Sequence, residues 1–278
     1  MSNQENAILS QESTRYEAPD SSRIASYLGI ESYRKVYQDS IKDPENFWAK
    51  VAREELSWIQ DFKQTRVWNY PNYEWFVGGQ INITYNCLDR HLEEGRRNKV
   101  AFIYTNEEDH EVKITYGELH EQVCRFANGL KDLGVEKGDR VTLYMALSIE
   151  QIVAILACAR IGAIHSVVYG GFSAPALRLR IEDAQSPVVI CSTWTKRKGK
   201  IVALKDVVDE AVRDLSVVKH VVVATRDGDQ LELNGRESNF HRICDQSNPV
   251  CRPEAMESED PLFILRSEEH TSELQSQF

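Results

Sequence analysis

The sequence predicts an α/β fold in which a parallel β-sheet carries helices on both faces. Short apolar segments rich in Val and Ile recur from about residue 100 onward, as in strands that are buried on both sides. Segments with the 3.6-residue spacing of amphipathic helices separate most of them. Since strands that alternate with helices usually pair in parallel, we expect a doubly wound sheet.

Local patterns justify the elements one by one. Thr115-Tyr116-Gly117-Glu118 has the T-x-x-E form of a capping box, apolar residues follow at helical spacing, and Gly134 ends this helix. The other expected strands lie at residues 100–104, 141–145, 164–169, 188–191 and 218–224, and the other expected helices at 149–160, from Ser173 onward and around 201–212.

Composition divides the chain into four predicted parts. Residues 1–22 are polar and poor in aromatic residues, which predicts a disordered tail. Residues 23–95 hold four of the five tryptophans, and Asp43-Pro44 is typical of a helix start, so we expect a helical, aromatic-rich N-terminal segment there. We expect the α/β domain over residues 96–265 and a non-native tail over residues 266–278.

Charge and composition argue against several classes of function. The formal net charge of -10 has the wrong sign for a general nucleic-acid binder or anionic-membrane binder, so we expect neither partner. The six cysteines form no C-x-x-C pair and show no His/Cys ligand spacing, which argues against a metal site. The chain start lacks the features of a secretory signal, and no apolar run is long enough for a membrane helix. We therefore expect a cytoplasmic protein.

The segment at residues 165–185 combines an apolar strand, the pair Gly170-Gly171 and a helix that Ser173 can cap. Glycines let a ligand approach the backbone, and free N–H groups at a helix start attract anions. The alternative is a tight connection without a ligand, which glycine pairs also form. We expect His165 to be a packed core imidazole, because no carboxylate or nucleophile is spaced to partner it.

A basic stretch follows the next predicted strand. Lys196, Arg197, Lys198 and Lys200 place four cations within five positions of an otherwise acidic chain. Arg offers a planar fork to phosphate oxygens and Lys offers a point charge. Both stretches come at carboxyl ends of predicted parallel strands, where such sheets bind ligands. A phosphate-bearing ligand would explain the stretch, and so would a solvated basic loop.

Five stretches together make the chain resemble the acetyl-CoA synthetases, which are adenylate-forming acyl-CoA ligases. They are WFVGG at 75–79, NCLDRH at 86–91, TYGEL at 115–119, AIHSVVYGGFS at 163–173 and EDPLFIL at 259–265. The resemblance implies a partial doubly wound sheet of the adenylate-forming N-terminal domain. It also implies an enzyme, acetate-CoA ligase, that converts acetate, ATP and CoA to acetyl-CoA, AMP and pyrophosphate through acetyl-AMP.

The resemblance further implies a set of site residues. In the family, the glycine turn and the basic loop line the CoA nucleotide site, which carries CoA binding over to Gly171, Arg197, Lys198, Gly199 and Lys200. Relatives commonly show R-x-G-R where this chain ends the motif with Lys200, which keeps the charge but loses the fork. CoA, ATP and Mg are the implied ligands, and the oligomeric state is left open.

The chain departs from the family after Leu265. Relatives continue into a Thr/Ser/Gly-rich loop whose amides hold the ATP phosphates, whereas this chain continues with Arg266-Ser267-Glu268-Glu269. Residues 266–278 resemble the translation of a sequencing-library adapter, so we interpret them as non-native. The family's catalytic, ATP, Mg and acetate residues would lie downstream, so we expect no catalytic residue, no metal ligand and no adenylating activity in this chain.

Two other functions fit the same residues. The substrate could be propionate or another short-chain acid, because the acyl pocket that would decide is not in this sequence. The chain could also be a non-catalytic module that binds CoA or a nucleotide.

Overall fold

The computed structural model describes residues 19, 21–22, 29–226 and 232–266. The chain divides into two compact units between Glu54 and Glu55. The predicted disordered tail lies almost entirely outside the described residues. The same holds for the predicted non-native tail, of which only Arg266 is described.

The N-terminal helices confirm the predicted helical segment. They are α1 (Ile30–Lys42) and α2 (Pro44–Glu55). α2 begins where the sequence predicts, because Pro44 suits the first helical turn and the Asp43 carboxylate accepts hydrogen bonds from Asn46. The backbone N–H of Asn46 lies 3.3 Å and its side-chain amide 2.8 Å from the carboxylate. These bonds lower the pKa of Asp43 below its usual value.

The aromatic-rich segment continues into a β-hairpin that the sequence patterns did not predict. Its strands are β1 (Gln64–Asn69) and β2 (Asn72–Val77), followed by β3 (Gln80–Ile81). Trp58, Phe62 and Phe76 pack with ring centroids 5.0 to 5.5 Å apart, as expected of an aromatic cluster. Trp68 differs, since it is 61% exposed and stacks on Tyr73 across the hairpin.

The rest of the described chain alternates strands and helices. The elements are a short π-helix (Tyr85–Asp89), α3 (Arg90–Glu93), β4 (Val100–Thr105), β5 (Glu111–Thr115), α4 (Tyr116–Asp132), β6 (Arg140–Tyr144), α5 (Ile149–Arg160), β7 (Ile164–Val167), α6 (Ala174–Ala184), β8 (Val188–Ser192), β9 (Trp194–Arg197), β10 (Lys200–Ala203), α7 (Leu204–Val212), β11 (His220–Ala224), β12 (Glu237–Asn239), α8 (Phe240–Gln246), β13 (Met256–Glu257) and β14 (Phe263–Ile264).

A six-stranded sheet with the order β12-β11-β8-β6-β7-β14 organises the second unit, and all of its pairs are parallel. The predicted strand at 100–104 exists but pairs antiparallel with β5 in a separate ribbon, whose acidic turn covers residues 106–110. The expected helix start near residue 201 was wrong. Residues 200–203 pair with β9 instead, so α7 begins at Leu204.

Alternate residues of the sheet strands pack into two different hydrophobic cores, one on each face of the sheet. In β8, Val188 and Ile190 belong to the core under α4, α5 and α8, whereas Val189 and Cys191 belong to the core under α6 and α7. This alternation explains why the strands are apolar throughout rather than at every second position. The doubly wound α/β fold is therefore confirmed.

β14 forms one edge of the sheet within the described part of the chain. Phe263 pairs with His165 of β7, and their rings stack with centroids 5.6 Å apart. Burial lowers the pKa of His165 to about 4. His165 is thus a neutral, packed imidazole, as its sequence context indicates.

Candidate functional site

Two stretches that the sequence singles out meet at the carboxyl edge of the sheet. The glycine turn (residues 170–173) follows β7, and the basic hairpin (residues 194–203) follows β8. β6 lies between β7 and β8, so the direction in which successive strands are added reverses there. Open α/β sheets bind ligands at such a switch point.

Backbone hydrogen bonds fix the glycine turn. The N–H groups of Gly171 and Phe172 both donate to the carbonyl oxygen of Tyr169, at 2.8 and 3.2 Å. The Tyr144 hydroxyl donates to the Phe172 carbonyl at 2.8 Å. The two turn amides, which precede the helix start, are therefore already bonded within the turn. Ser173 takes the N-cap position of α6, but its side chain makes no capping hydrogen bond.

Gly171 leaves room for the side chain of Tyr169, because it has no Cβ atom. A Cβ atom at this position would lie 2.7 Å from Cε1 of Tyr169 and 3.6 Å from Nη1 of Arg197. The Arg197 guanidinium carbon lies 5.3 Å from the centroid of the Tyr169 ring, within the range of a cation–π contact. The structure thus brings Gly171 and Arg197 together, although they are far apart in the sequence.

The basic hairpin separates its cations onto two faces. Lys198 and Gly199 form its two-residue turn with φ angles of 50° and 74°, as in a type I′ turn. Arg197 and Lys200 are directly paired across the strands, so their side chains lie on the same face. Lys196 precedes Arg197 in the strand and therefore lies on the opposite face.

The acidic turn contacts the basic hairpin from the β4–β5 ribbon. The two carboxylate oxygens of Glu107 accept the backbone N–H groups of Lys198 and Gly199 at 2.8 and 3.0 Å. The Lys196 ammonium forms an ion pair with Glu108. Hydrogen bonds from Gly199 and Lys198 lower the pKa of Glu107, and the bond from Lys196 lowers the pKa of Glu108.

A partly buried charge cluster lies outside the glycine turn and the basic hairpin. The Arg160 guanidinium donates to both carboxylate oxygens of Asp89 at 2.8 Å, and its Nε donates to the Cys251 carbonyl at 2.7 Å. Nε2 of His120 lies 3.2 Å from Asp89. Burial opposes ionisation of Asp89, but the hydrogen bonds from Arg160 and His120 outweigh it and hold the Asp89 pKa well below its usual range. The bond to Asp89 in turn raises the pKa of His120 to about 9.

Sequence reasoning missed this cluster and the two glutamates of the acidic turn. Asp89 lies in the NCLDRH stretch that carries the family resemblance, but its partners His120 and Arg160 are 31 and 71 residues away. Glu107 and Glu108 stand in a charged turn that resembles any solvated loop. No periodicity links residues at such separations, so no signal in a single sequence could have paired them.

The part of the chain that the structure covers contains neither a candidate metal site nor a candidate membrane-spanning helix. Among those residues, no group of three or more His, Cys, Asp or Glu side chains could hold a metal ion. Within the same ranges, no helix has both the length and the apolar character that crossing a membrane requires.

Two family models match this chain. The AMP-binding enzyme family matches residues 69–265, and the acetyl-coenzyme A synthetase N-terminus matches residues 33–87. The acetyl-coenzyme A synthetase of Chlorobaculum tepidum is 39% identical over 261 residues, which are 93% of this chain and 39% of that protein. The corresponding protein of Laribacter hongkongensis is 47% identical over 244 residues, which are 87% of this chain and 37% of that protein.

A solved structure shares the fold. Acetoacetyl-CoA synthetase from Streptomyces lividans superposes with a TM-score of 0.78 at 23% sequence identity, over 87% of this chain and 37% of that chain. The present chain thus spans about two-fifths of the length of the curated relatives it matches. The predicted boundary between residues 95 and 96 stays a prediction, since the two family matches overlap over residues 69–87. With the larger match covering most of its length, the chain belongs to the AMP-binding enzyme family and carries the N-terminus typical of acetyl-coenzyme A synthetases.

Proposed function

We propose that this chain supplies the CoA nucleotide site of an AMP-forming acetate-CoA ligase. The observation that carries the proposal is the convergence of Arg197 and Gly171 at the switch point of the sheet. The ligase joins acetate to CoA at the expense of ATP, through acetyl-AMP. The acetyl-coenzyme A synthetase names of the relatives support acetate as the acid.

Each predicted site residue has a specific role in this proposal. Arg197 and Lys200 share one face of the basic hairpin and present two cations to the CoA phosphates. Gly171 leaves room for the ligand beside Tyr169, where a side chain would intrude. Lys198 and Gly199 set the hairpin turn, and because Glu107 already occupies their backbone N–H groups, only the Lys198 side chain remains for the ligand.

ATP and Mg take part in the proposed reaction, but the residues of this chain do not fit them. The described residues offer no group of carboxylates that would bind a divalent cation. After Leu265, where the resemblance implies a Thr/Ser/Gly-rich phosphate loop, the sequence has no such loop. We therefore assign no step of adenylation to residues of this chain and expect it to form no acetyl-AMP by itself.

Two alternatives remain, each with its own test. A propionate or other short-chain ligase would have the same CoA site, so only the acid used by the whole enzyme distinguishes it. A non-catalytic module would bind CoA without any ligase activity in the protein that contains it. We further propose a cytoplasmic location and small molecules, not nucleic acid or membranes, as ligands, in line with the net charge of -10.

Calorimetric titration of the 278-residue chain with CoA tests the proposed site. We expect CoA to bind and pantetheine, which lacks the phosphates, to bind far more weakly. R197A should weaken CoA binding about tenfold or more, because it removes a charge-assisted hydrogen-bond donor. The matched control is R213A, which removes an exposed Arg at the end of α7, toward the amino edge of the sheet. Equal affinity of R197A and the wild type for CoA would refute the proposal, as would the absence of CoA binding.

A further inference from the structure

We infer that Glu107 and Glu108 are positioning residues that hold the basic hairpin in the orientation CoA requires. The inference rests on the CoA site proposed above and extends it to a part of the chain that no sequence pattern singled out. It predicts that two negative charges strengthen the binding of an anionic ligand. That prediction is opposite in sign to their direct electrostatic effect.

The acidic turn is itself well ordered by local hydrogen bonds. Oδ1 of Asn106 accepts the backbone N–H groups of Glu108 and His110 at 2.9 and 3.0 Å. The Asp109 N–H donates to the Asn106 carbonyl at 3.2 Å. The antiparallel pairing of β4 and β5 supports both ends of this turn. The glutamates therefore extend from a constrained support, which a positioning role requires.

Glu107 contacts the basic hairpin at its two-residue turn. Because Lys198 and Gly199 both have positive φ angles, their consecutive N–H groups point to the same side and form an anion-binding concavity. The Glu107 carboxylate fills it with one oxygen on each N–H group. This bidentate contact fixes both the position and the tilt of the turn, which a single hydrogen bond would not.

Glu108 provides a second contact on the face away from the glycine turn. Its ion pair with Lys196 engages the side of β9 opposite Arg197. The acidic turn therefore holds one face of the hairpin and leaves Arg197 and Lys200 on the other face. Preorganising these two cations reduces the conformational entropy that the site loses when a ligand binds.

Conservative amide variants separate positioning from simple charge. In E107Q, one of the two acceptor oxygens becomes an NH₂ group and the negative charge is lost. E108Q loses the ion pair with Lys196. If the glutamates acted only through charge, both variants would bind CoA more tightly. If they position the hairpin, both variants bind CoA about threefold or more weakly, since a charged hydrogen bond or ion pair is lost.

The control is E111Q, which removes the same charge from the same ribbon. Glu111 lies on β5 and pairs with Lys113 at 2.9 Å, not with the basic hairpin. E111Q should leave CoA affinity unchanged or slightly higher. The charge swap E108K with K196E should recover affinity relative to E108K alone, because it restores the ion pair with reversed polarity.

Hydrogen exchange measured by mass spectrometry reports the hairpin directly, without a ligand. Peptides covering residues 194–203 should exchange faster in E107Q than in the wild type and E111Q. Tighter or unchanged CoA binding in E107Q would overturn the inference, and so would unchanged exchange of these peptides. R197A keeps the two proposals distinguishable. If R197A weakens CoA binding and E107Q does not, only the positioning role is refuted. If R197A binds CoA as tightly as the wild type, the CoA site itself is refuted.

Discussion

Gly129 of α4 and Ile243 of α8 pack so closely that no side chain fits between them. A Cβ atom at residue 129 would overlap Cγ2 of Ile243. One turn earlier, Phe126 stacks on Phe240 with ring centroids 4.1 Å apart, and both rings are buried. The glycine therefore lets α8 approach α4 and close the core on that face of the sheet.

G129A should destabilise the protein even though Ala is the better helix former. Alanine gains about 1 kcal/mol over glycine in a helix interior. Overpacking a rigid core typically costs about 1 to 3 kcal/mol, and here the overlap is with a branched side chain. We expect a net loss of about 1 kcal/mol or more in urea denaturation. The double variant G129A/I243A should show a smaller loss than the sum of its single variants, and a G129A protein more stable than the wild type would contradict the packing argument.

D89N should be among the most destabilising single changes in this chain. It leaves the Arg160 guanidinium, only 2% exposed, without its carboxylate partner. Removing one partner of a buried pair typically costs about 3 to 5 kcal/mol. E121Q is the matched control, because it breaks the exposed pair between Glu121 and Arg125, which typically contributes less than about 1 kcal/mol. Similar free energies of unfolding for D89N and E121Q would show that the cluster is not a structural support.

His120 and His165 should differ in protonation at neutral pH, with His120 protonated and His165 neutral. The hydrogen bond to Asp89 raises the pKa of His120 to about 9, and burial lowers that of His165 to about 4. NMR titration of the imidazole signals measures both values. Two overlapping titrations near pH 6.5 would contradict this assignment.

The same two histidines predict how stability depends on pH. His120 has its pKa raised above the unfolded value of 6.5, so its contribution is full below pH 6.5 and is lost as the pH rises through about 9. His165 has its pKa lowered, so its contribution is full above pH 6.5 and is lost as the pH falls through about 4. In denaturation experiments, H120Q should reduce the loss of stability on the alkaline side. It should also reduce the loss on the acid side, because it removes one of the hydrogen bonds that lower the Asp89 pKa.

The sequence predicted the sheet well because its signals are local. Apolar strands such as β8 and the capping box at Thr115 and Glu118 depend on neighbours a few residues away, and both are present in the structure. The hairpin of β1 and β2 was missed because its aromatic residues indicated packing without indicating a strand period. Trp68 illustrates this, because it is an aromatic residue that lies on a strand and is largely exposed instead of packed in a core.

The candidate site could be predicted only in part. Because both follow strands of one parallel sheet, Gly171 and Arg197 were expected at the same edge, and the structure brings them together. The hairpin that places Lys196 and Arg197 on opposite faces could not be foreseen, because within the described residues β9 and β10 pair with each other and with no strand of the main sheet. Glu107 was missed for a physical reason: its partners are backbone N–H groups, which any residue carries and no sequence pattern marks.

K200R should tighten the binding of CoA. Lys200 is exposed and shares the ligand-facing side of the hairpin with Arg197, so the longer, planar guanidinium can reach phosphate oxygens with two parallel hydrogen bonds. We expect an increase in affinity of about threefold or more by calorimetric titration, corresponding to the modest gain of one added charge-assisted hydrogen bond. K219R is the control, because Lys219 is also exposed but precedes β11 at the opposite edge of the sheet. Unchanged affinity in K200R would place the phosphates away from this face.

G171A and G170A should have different effects although they are adjacent. At residue 171 the added Cβ atom would lie 2.7 Å from the Tyr169 ring and would force the ring to move. This movement would break the cation–π contact between Tyr169 and Arg197. At residue 170 the nearest atoms are Leu204 Cδ2 at 3.4 Å and the Met145 carbonyl oxygen at 3.5 Å, which are ordinary contacts.

Since Tyr169 is half-exposed and can swing outward, neither change should cost much stability. We expect G171A to weaken CoA binding about tenfold and G170A to change it by less than about threefold, with similar thermal unfolding for both. This comparison separates a requirement for space at one atom from a general requirement for a flexible turn. Equal losses of affinity in the two variants would favour the flexible turn and argue against a ligand that approaches the backbone at Gly171.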